Sequence, residues 1–412
     1  MALESEGTIY YSINGDYPST DDAPYTEPIA LGAGESVIRA VSVDKSGLVS
    51  DLSELTYTVG GVVEPVELKD PAINSAVREL LHKSERETLY TNDLWGLKEF
   101  TVPEGAQTIS DLQKLPYLKK LTIQKYNLPD LSFLEGYTKL ETLDLSGSRL
   151  PAESFEILAT LPSLKNLLIA DCGLSTVAPL EEVKTLVQLD LSNNTIRNLA
   201  PLSGMTQLKE LNLKHNALTD LKALSPLTQL ERLDVSYNSL TDLSPLAVCT
   251  GLTYLEAQNN QIASLEGLEG LLSLKHLGVD YNRLTDISPI AGLLNMETLR
   301  ISNNSIVDIS MLSGMTKLDG FYFSHNMVEA LPQWPEGSLL RIVDGSYNAL
   351  TDIEALSVMK ELAYVYMDYN QLTSVEPIFK CVKLVQVNVY GNEIDDVLPL
   401  TDQDVIVNYD PT

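Results

Sequence analysis

The chain is poor in cysteine, tryptophan and basic residues, and it contains no long apolar run. Its 412 residues include 3 Cys, 2 Trp and 28 Lys+Arg against 57 Asp+Glu, so the formal net charge is −29. Three cysteines cannot build a disulfide framework, and such an excess of acid repels phosphate backbones. No stretch reaches the roughly 18 apolar residues of a membrane span. We therefore expect no disulfide scaffold, no nucleic-acid partner and no spanning segment.

Motifs for catalysis and metal binding are absent as well. The chain has no Gly-x-Ser-x-Gly elbow, no phosphate loop and no Cys-x-x-Cys pair, and its four histidines are widely spaced. Each of these chemistries depends on a local motif or a dense ligand cluster. We expect no catalytic residue, no cofactor and no metal ion.

What the chain has instead is leucine at fixed spacing around a recurring asparagine. The frame is Leu-x-x-Leu-x-Leu-x-x-Asn-x-Leu, and ten asparagines follow one another every 22 residues, at Asn194, Asn216, Asn238, Asn260, Asn282, Asn304, Asn326, Asn348, Asn370 and Asn392. The frame extends backwards with Cys172, Ser148 and Tyr126 at the asparagine position, which gives about fourteen repeats. Uninterrupted repetition at this period indicates a stacked repeat architecture.

The frame is the leucine-rich repeat signature, and its physics follows from the residues. Alternating leucines such as Leu211 and Leu213 predict one short strand per repeat, and the asparagine amide can satisfy backbone groups at the turn. The segment 240–246, Leu-Thr-Asp-Leu-Ser-Pro-Leu, favours a short 3₁₀ return path. We predict an α/β repeat fold, a leucine-rich repeat solenoid with a parallel concave sheet and short 3₁₀ or irregular convex segments.

Two segments upstream of the repeats resemble known bacterial modules. Residues 70–81 have a helical apolar period after Asp70-Pro71 and resemble the N-terminal helical cap of internalin-type proteins. Residues 7–59 alternate strand patterns with turns and resemble the chitobiase/beta-hexosaminidase C-terminal-type module, a small all-β immunoglobulin-like sandwich. That family starts with one or two more strands, so we expect this copy to be truncated at its N-terminus.

These assignments predict three parts of the chain. Residues 1–61 form the truncated β-sandwich module, with Gly60-Gly61 as its exit. Residues 62–96 form a linker and the helical cap, and residues 97–412 form the solenoid. The three cysteines fit structural positions, since Cys249 and Cys381 replace core hydrophobes and Cys172 replaces a ladder asparagine.

The third, fifth, seventh and eighth residues of each repeat are not fixed by the leucine frame, so they are the candidate binding positions. The fifth-residue column is acidic or polar at first, and tyrosines enter it near the C-terminus. Tyrosine supplies contact area at low entropic cost together with a hydroxyl, although it also favours strands for structural reasons. The predicted ligand-binding residues on the concave face are Tyr322, Asp344, Tyr364, Tyr366, Asp368, Tyr390, Tyr347 and Tyr369.

The leading hypothesis is a non-catalytic recognition protein that binds a protein partner on the concave face. The resemblance implies adhesion or interaction at a bacterial surface or after secretion, with signal and anchor outside this chain, and we expect a monomer. One alternative is a carbohydrate-binding or glycan-enzyme-associated protein, since accessory modules of this type accompany such enzymes. A second alternative is a cytosolic regulatory scaffold. The acidic face predicts a partner with a basic or hydroxyl-rich surface.

Overall fold

A computed structural model describes residues 7–13, 16–22, 24–31, 34–59 and 63–410. The first elements form a three-stranded antiparallel sheet in chain order, made of β1 (Thr8–Ser12), β2 (Gly34–Val43) and β3 (Ser53–Val59). Within it, Ile38 and Val41 are buried at 1% and 4% exposure. This small antiparallel sheet, formed by described residues between 8 and 59, is consistent with an immunoglobulin-like module. The predicted exit at Gly60-Gly61 lies outside the described residues.

The predicted helical cap segment contains a helix, α1 (Pro71–Leu80), which begins as the sequence predicts. Asp70 is its N-cap, and Asp70 Oδ1 accepts hydrogen bonds from the backbone N–H groups of Ala72 and Ile73 at 3.0 and 3.1 Å. The other oxygen accepts from the N–H groups of Gln107 and Thr108 at 2.7 and 3.0 Å. Four backbone bonds therefore fix a carboxylate that is only 1% exposed and lower its pKa against the effect of burial.

A short antiparallel pair follows the module, formed by β4 (Pro65–Val66) and β5 (Leu89–Tyr90), and α2 (Thr91–Leu94) comes directly after β5. The third helix, α3 (Leu398–Thr401), lies near the C-terminus. In the part of the chain that the structure describes, no helix has the length and apolar character needed to cross a membrane.

The leucine-rich repeats form a fifteen-stranded sheet whose strands follow chain order, with parallel pairing along the repeats. Its strands are β6 (Glu99–Thr101), β7 (Lys120–Thr122), β8 (Thr142–Asp144), β9 (Asn166–Leu168), β10 (Gln188–Asp190), β11 (Glu210–Asn212), β12 (Arg232–Asp234), β13 (Tyr254–Glu256), β14 (His276–Gly278), β15 (Thr298–Arg300), β16 (Gly320–Tyr322), β17 (Ile342–Asp344), β18 (Tyr364–Tyr366), β19 (Gln386–Asn388) and β20 (Ile406–Asn408). The predicted parallel repeat sheet is confirmed, and its last strand is β20.

The return segments are short, as the proline and turn residues predict. Most repeats contain a 3₁₀ segment there, at Ser110–Lys114, Ser132–Leu134, Ala152–Thr160, Ala178–Leu180, Ala200–Gly204, Lys222–Leu224, Ser244–Leu246, Ser288–Ile290, Ser310–Gly314, Glu354–Leu356 and Glu376–Ile378. Leucines from strands and return segments fill the core, and Leu211, Leu233 and Leu246 are at most 2% exposed. All three cysteines are free and buried, which agrees with their predicted structural role.

The ladder asparagines connect neighbouring repeats. Asn260 is typical, because its Nδ2 donates to the carbonyl oxygens of Val235 and Ala257, both at 3.0 Å. Its Oδ1 accepts from the N–H group of Leu240 at 3.0 Å. One amide thus binds its own repeat and the preceding one, so the ladder satisfies backbone groups that leave the sheet.

The chain divides into two compact units, residues 1–120 with 136–139 and residues 121–135 with 140–412. The second unit holds the candidate binding positions. The domain limits expected from the sequence, 1–61, 62–96 and 97–412, remain predictions.

Candidate functional site

The candidate site lies on the outward side of the sheet of the second unit, which we call the sheet face. Side chains alternate along each strand, so that Leu233 is fully buried while Arg232 is exposed and Asp234 is partly exposed. Because the strands pair in register, residues 22 apart lie side by side across the face. The third, fifth and seventh residues of the repeats therefore form columns, as the sequence predicts for this fold.

Four of the predicted residues lie together on β16, β17 and β18, and we call them the tyrosine cluster: Tyr322, Asp344, Tyr364 and Tyr366. Tyr322 is the register partner of Asp344, which in turn is the register partner of Tyr366. All four are partly exposed. The pKa of Tyr366 is raised by burial and by the neighbouring Tyr364, Asp344 and Tyr322. The cluster thus places Tyr322 and Tyr366 on either side of one carboxylate, with Tyr364 on the same strand as Tyr366.

Asp368 and Tyr390 lie next to the tyrosine cluster, and a hydrogen bond joins them. Asp368 Oδ1 accepts a hydrogen bond from the N–H group of Tyr390 at 2.7 Å. Burial raises the pKa of Asp368, and the carboxylates of Asp344 and Asp410 raise it further. Tyr390 itself is 44% exposed. The structure therefore gives Asp368 a backbone partner, while the Tyr390 side chain remains accessible.

Tyr347 and Tyr369 lie in a separate row at the eighth residue of the repeats, where the backbone is left-handed. Their φ angles are 57° and 53°, and the N–H group of Tyr347 donates to the carbonyl of Asp368 at 2.7 Å, which fixes this conformation. The rings of His325, Tyr347 and Tyr369 stack in sequence with centroids 4.2 and 4.5 Å apart. A Cβ on Gly391 would lie 2.5 Å from Tyr369 Cδ1, so this ring also lies over a glycine. The row consequently presents ring edges and hydroxyls rather than open ring faces.

Much of the acidic fifth column serves the backbone. Asp144, Asp190, Asp234 and Asp344 each accept a hydrogen bond from the N–H group two residues later, at 2.9, 2.8, 2.9 and 3.1 Å. Aspartate commonly forms such a turn with its own backbone. The sequence predicts that these aspartates form part of a ligand-binding surface. In the structure, one oxygen of each carboxylate is bonded to the backbone where the strand ends.

The structure also assembles a second group on the sheet face that the sequence-based prediction omitted. On β12, β13 and β14, Arg232 lies over the ring of Tyr254 at 4.0 Å, and Tyr254 stacks on His276 with centroids 4.3 Å apart. His276 Nε2 lies 2.7 Å from Glu256 Oε1. Asp280 Oδ2 accepts from Arg300 Nε at 2.9 Å. We call these residues, with Asp234, the central polar group.

Two carboxyl groups of the central polar group have a pKa above the ordinary value. Burial raises the pKa of Asp234, and Glu256 raises it further. Burial also raises the pKa of Asp280, although Arg300 acts in the opposite direction. Asp280 is only 2% exposed, so desolvation outweighs its ion pair. Both carboxyl groups are thus buried from water and have Glu256 as an acidic neighbour, which favours their neutral form.

A signal for this group was present in the sequence. Arg232, Tyr254 and His276 occupy the third residue of three successive repeats, where a cation and two rings must become neighbours. The fifth-residue column alone does not reveal it, since it reads Asp234, Glu256 and Gly278 at these repeats. Among the described residues, no group of three or more His, Cys, Asp or Glu could hold a metal ion.

Comparison with family models matches two parts of the chain. The model described as "Leucine Rich repeats (2 copies)" matches residues 206–248 and 250–292. The model described as "Chitobiase/beta-hexosaminidase C-terminal domain" matches residues 2–54. No curated protein sequence is significantly similar to the chain.

Solved structures with similar folds include bacterial and plant proteins. An internalin, InlF from Listeria monocytogenes, is 26% identical with a TM-score of 0.67, covering 83% of this chain and 95% of that one. The functional domain of InlJ from the same species is 22% identical with a TM-score of 0.63, covering 80% and 76%. The Arabidopsis receptor kinase HAESA, in complex with the peptide hormone IDA and the co-receptor SERK1, is 22% identical with a TM-score of 0.56, covering 72% and 58%. The similarity of this chain to InlJ and to HAESA concerns the fold alone.

Proposed function

We propose that this chain, an internalin-like leucine-rich repeat protein with a chitobiase C-terminal-type module at its start, binds a protein partner on the sheet face. The observation that carries the proposal is the tyrosine cluster. Tyr322 and Tyr366 flank Asp344 in register, Tyr364 lies two residues before Tyr366 on β18, and Arg300 lies over the ring of Tyr322 at 5.0 Å. Partly exposed tyrosines beside charged groups, on strands that fix their backbone, are typical anchors of protein interfaces.

Similar folds support this role. The HAESA structure contains a peptide hormone and a co-receptor, so a leucine-rich repeat domain of related fold binds polypeptides. The likeness to the internalin InlF covers most of both chains. Fold likeness is an analogy, and the proposal therefore depends on the cluster residues themselves. We propose no catalytic activity for this chain.

The arrangement of the other rings favours a protein over a glycan. Sugar recognition by aromatic residues uses an open ring face, whereas Tyr254 has Arg232 on its ring and stacks on His276. Tyr347 is likewise stacked on His325 and on Tyr369. These rings offer edges and hydroxyl groups, which suit the hydrogen-bonding groups of a protein surface.

We also propose that the protein acts at a bacterial cell surface or after secretion, in adhesion or interaction, as a monomer. The internalin likeness and the chitobiase C-terminal-type module support this location. Antibody labelling of intact cells of the source organism tests it, and labelling only after cell lysis would contradict it.

The binding proposal can be tested with three tyrosine substitutions. Biotinylated protein captures candidate partners from surface extracts, and the strongest is then measured by biolayer interferometry. Tyr322→Ala, Tyr364→Ala and Tyr366→Ala together should weaken binding by at least about a hundredfold, since interface anchors each contribute about 2 kcal/mol or more. A matched control replaces exposed apolar residues outside the strands, Leu272, Leu294 and Val382, by alanine. Equal affinity of both variants would show that the cluster is not the binding site.

A further inference from the structure

Glu256 is a buried carboxylate with one oxygen satisfied and one left without a donor. The residue is 7% exposed. Its Oε1 lies 2.7 Å from His276 Nε2 and accepts from the hydroxyl of Tyr254 at 3.3 Å. Its Oε2 is buried and has no hydrogen-bond partner among the described residues. Burial without a donor is costly for a carboxylate oxygen, so this atom calls for a physical explanation.

Gly278 explains where this oxygen lies. Gly278 is the register partner of Glu256 on the next strand. A Cβ on Gly278 would fall 2.1 Å from Glu256 Oε2 and 2.7 Å from Cδ. The carboxylate therefore occupies the space of the missing side chain. No side chain at position 278 opposes a change of rotamer that lifts the carboxylate toward the outside of the face.

The arginines nearest this carboxylate are engaged with other groups. Arg300 is engaged with Asp280, and Arg232 stacks on the ring of Tyr254. Neither Glu256 nor Asp234 forms an ion pair with lysine or arginine in the described part of the chain. The oxygen that needs a donor thus belongs to a carboxylate that has Asp234 as its register neighbour and, within the described ranges, no lysine or arginine paired with it.

We infer that Glu256 is the centre of a binding site for a cationic nitrogen donor, the guanidinium or ammonium group of a partner's side chain. This inference rests on the proposed function, because it names the chemistry of the partner on the same sheet face. The incoming group supplies both the positive charge and the N–H donor that Oε2 lacks, and charge-assisted bonds of this kind are the stronger ones. His276 contacts Oε1 and so positions the carboxylate. Gly278 leaves the space that the carboxylate occupies before its side chain changes rotamer and turns toward the incoming group.

The test uses a small probe, so it does not require the natural partner. The full chain is labelled with ¹⁵N-histidine, which gives signals from only four residues, His82, His215, His276 and His325. The probe is methylguanidinium chloride, and tetramethylammonium chloride at equal ionic strength is the control cation because it has the same charge and no N–H donor. We expect a saturable shift of the His276 ring signals with methylguanidinium alone.

Substitutions then assign the effect to Glu256. Glu256→Gln should weaken methylguanidinium binding by at least about tenfold, since it removes the charge from a charge-assisted bond. Glu210→Gln makes the same chemical change at an exposed residue of β11 and should leave the affinity unchanged. The inference is wrong if His276 does not respond, if tetramethylammonium has the same effect, or if Glu256→Gln binds as well as the parent chain.

Gly278→Ala provides an independent check should Glu256→Gln fail to fold. The added Cβ fills the space that the carboxylate of Glu256 occupies in the parent chain and forces the carboxylate outward. Methylguanidinium should therefore bind more tightly to Gly278→Ala than to the parent chain. Equal or weaker binding would overturn the inference. These outcomes are separate from the tyrosine substitutions, because a partner whose binding depends on Tyr322, Tyr364 and Tyr366 can exist even if methylguanidinium does not bind.

Discussion

The asparagine ladder predicts a large loss of stability when Asn370 is replaced by alanine. Asn370 is 9% exposed, and its Nδ2 donates to the carbonyl oxygens of Gly345 and Met367 at 3.0 and 3.1 Å. Its Oδ1 accepts from the N–H group of Leu350 at 3.0 Å. The substitution therefore removes these three bonds, two of which connect neighbouring repeats, together with a longer one to the carbonyl oxygen of Asp368 at 3.3 Å, and leaves their backbone partners without a side-chain group.

The magnitude follows from the count of bonds. A typical intramolecular hydrogen bond contributes about 1 kcal/mol, so three bonds correspond to roughly 3 kcal/mol, and more if the buried backbone groups stay dry. Urea unfolding followed by circular dichroism measures the change in the free energy of unfolding. Hydrogen exchange of the Leu350 amide measures the local effect, and we expect this amide to exchange faster in Asn370→Ala.

A matched control distinguishes the ladder from the loss of any asparagine. Asn295 is exposed, and it donates to the carbonyl of Leu272 at 2.9 Å and accepts from Lys317 at 2.7 Å. Water can replace these partners, so Asn295→Ala should cost less than about 1 kcal/mol. A loss below about 1 kcal/mol for Asn370→Ala, with unchanged exchange of Leu350, would refute the reasoning.

Three further predictions concern the core and the central polar group. Gly345→Ala should destabilise the protein by about 1–3 kcal/mol in urea unfolding, because its Cβ would lie 2.3 Å from the buried ring of Phe323, whereas Gly292→Ala, with open space around it, should have little effect. Asp234 has a raised pKa in the folded state, so the native protein binds its proton more readily and loses stability as pH rises through the unfolded pKa toward the folded one. Asp234→Asn should therefore be more stable than the parent at pH 7 and lose this advantage below about pH 4. The measurement is the difference in urea midpoint between the variant and the parent at each pH, and an equal difference at both pH values would contradict the prediction. Burial raises the pKa of Cys172 and Cys381 to about 11, so the native chain should react with Ellman's reagent only after unfolding, and rapid reaction of the folded protein would disprove it.

The sequence could predict the fold because the same pattern of leucines and asparagine recurs in each repeat. Leucines at alternating positions specify a strand with one buried side, and the asparagine specifies a turn that returns hydrogen bonds to the backbone. The helix start at Asp70-Pro71 followed from local capping chemistry through one carboxylate oxygen, whereas the sequence did not predict that the other oxygen binds the distant N–H groups of Gln107 and Thr108. The helix, the strands and the 3₁₀ segments all arise from contacts within one or two repeats.

The candidate site was predicted less completely, because its properties depend on neighbours across the sheet. Tyr347 and Tyr369 were placed at the eighth residue of their repeats, but the sequence did not predict that their rings stack or that their backbone is left-handed. Glu256 appeared as one more acid in a column, while its partner His276 lies 20 residues away in the sequence. Which rings are free and which are stacked is decided by side chains on adjacent strands, whose rotamers the period does not specify.

By itself the sequence determined the repeat, the strand positions, the buried leucines and the columns of residues that face outward, because these follow from local periodicity. Only the tertiary structure decided that fifth-column aspartates hold the backbone, that Arg232, Tyr254 and His276 stack, and that Gly278 leaves room for the carboxylate of Glu256. The physical reason is that burial, stacking and charge pairing are properties of neighbours in space. A net charge of −29 therefore says little about a binding site until the structure distinguishes carboxylate oxygens that have partners from the buried Oε2 of Glu256, which has none among the described residues.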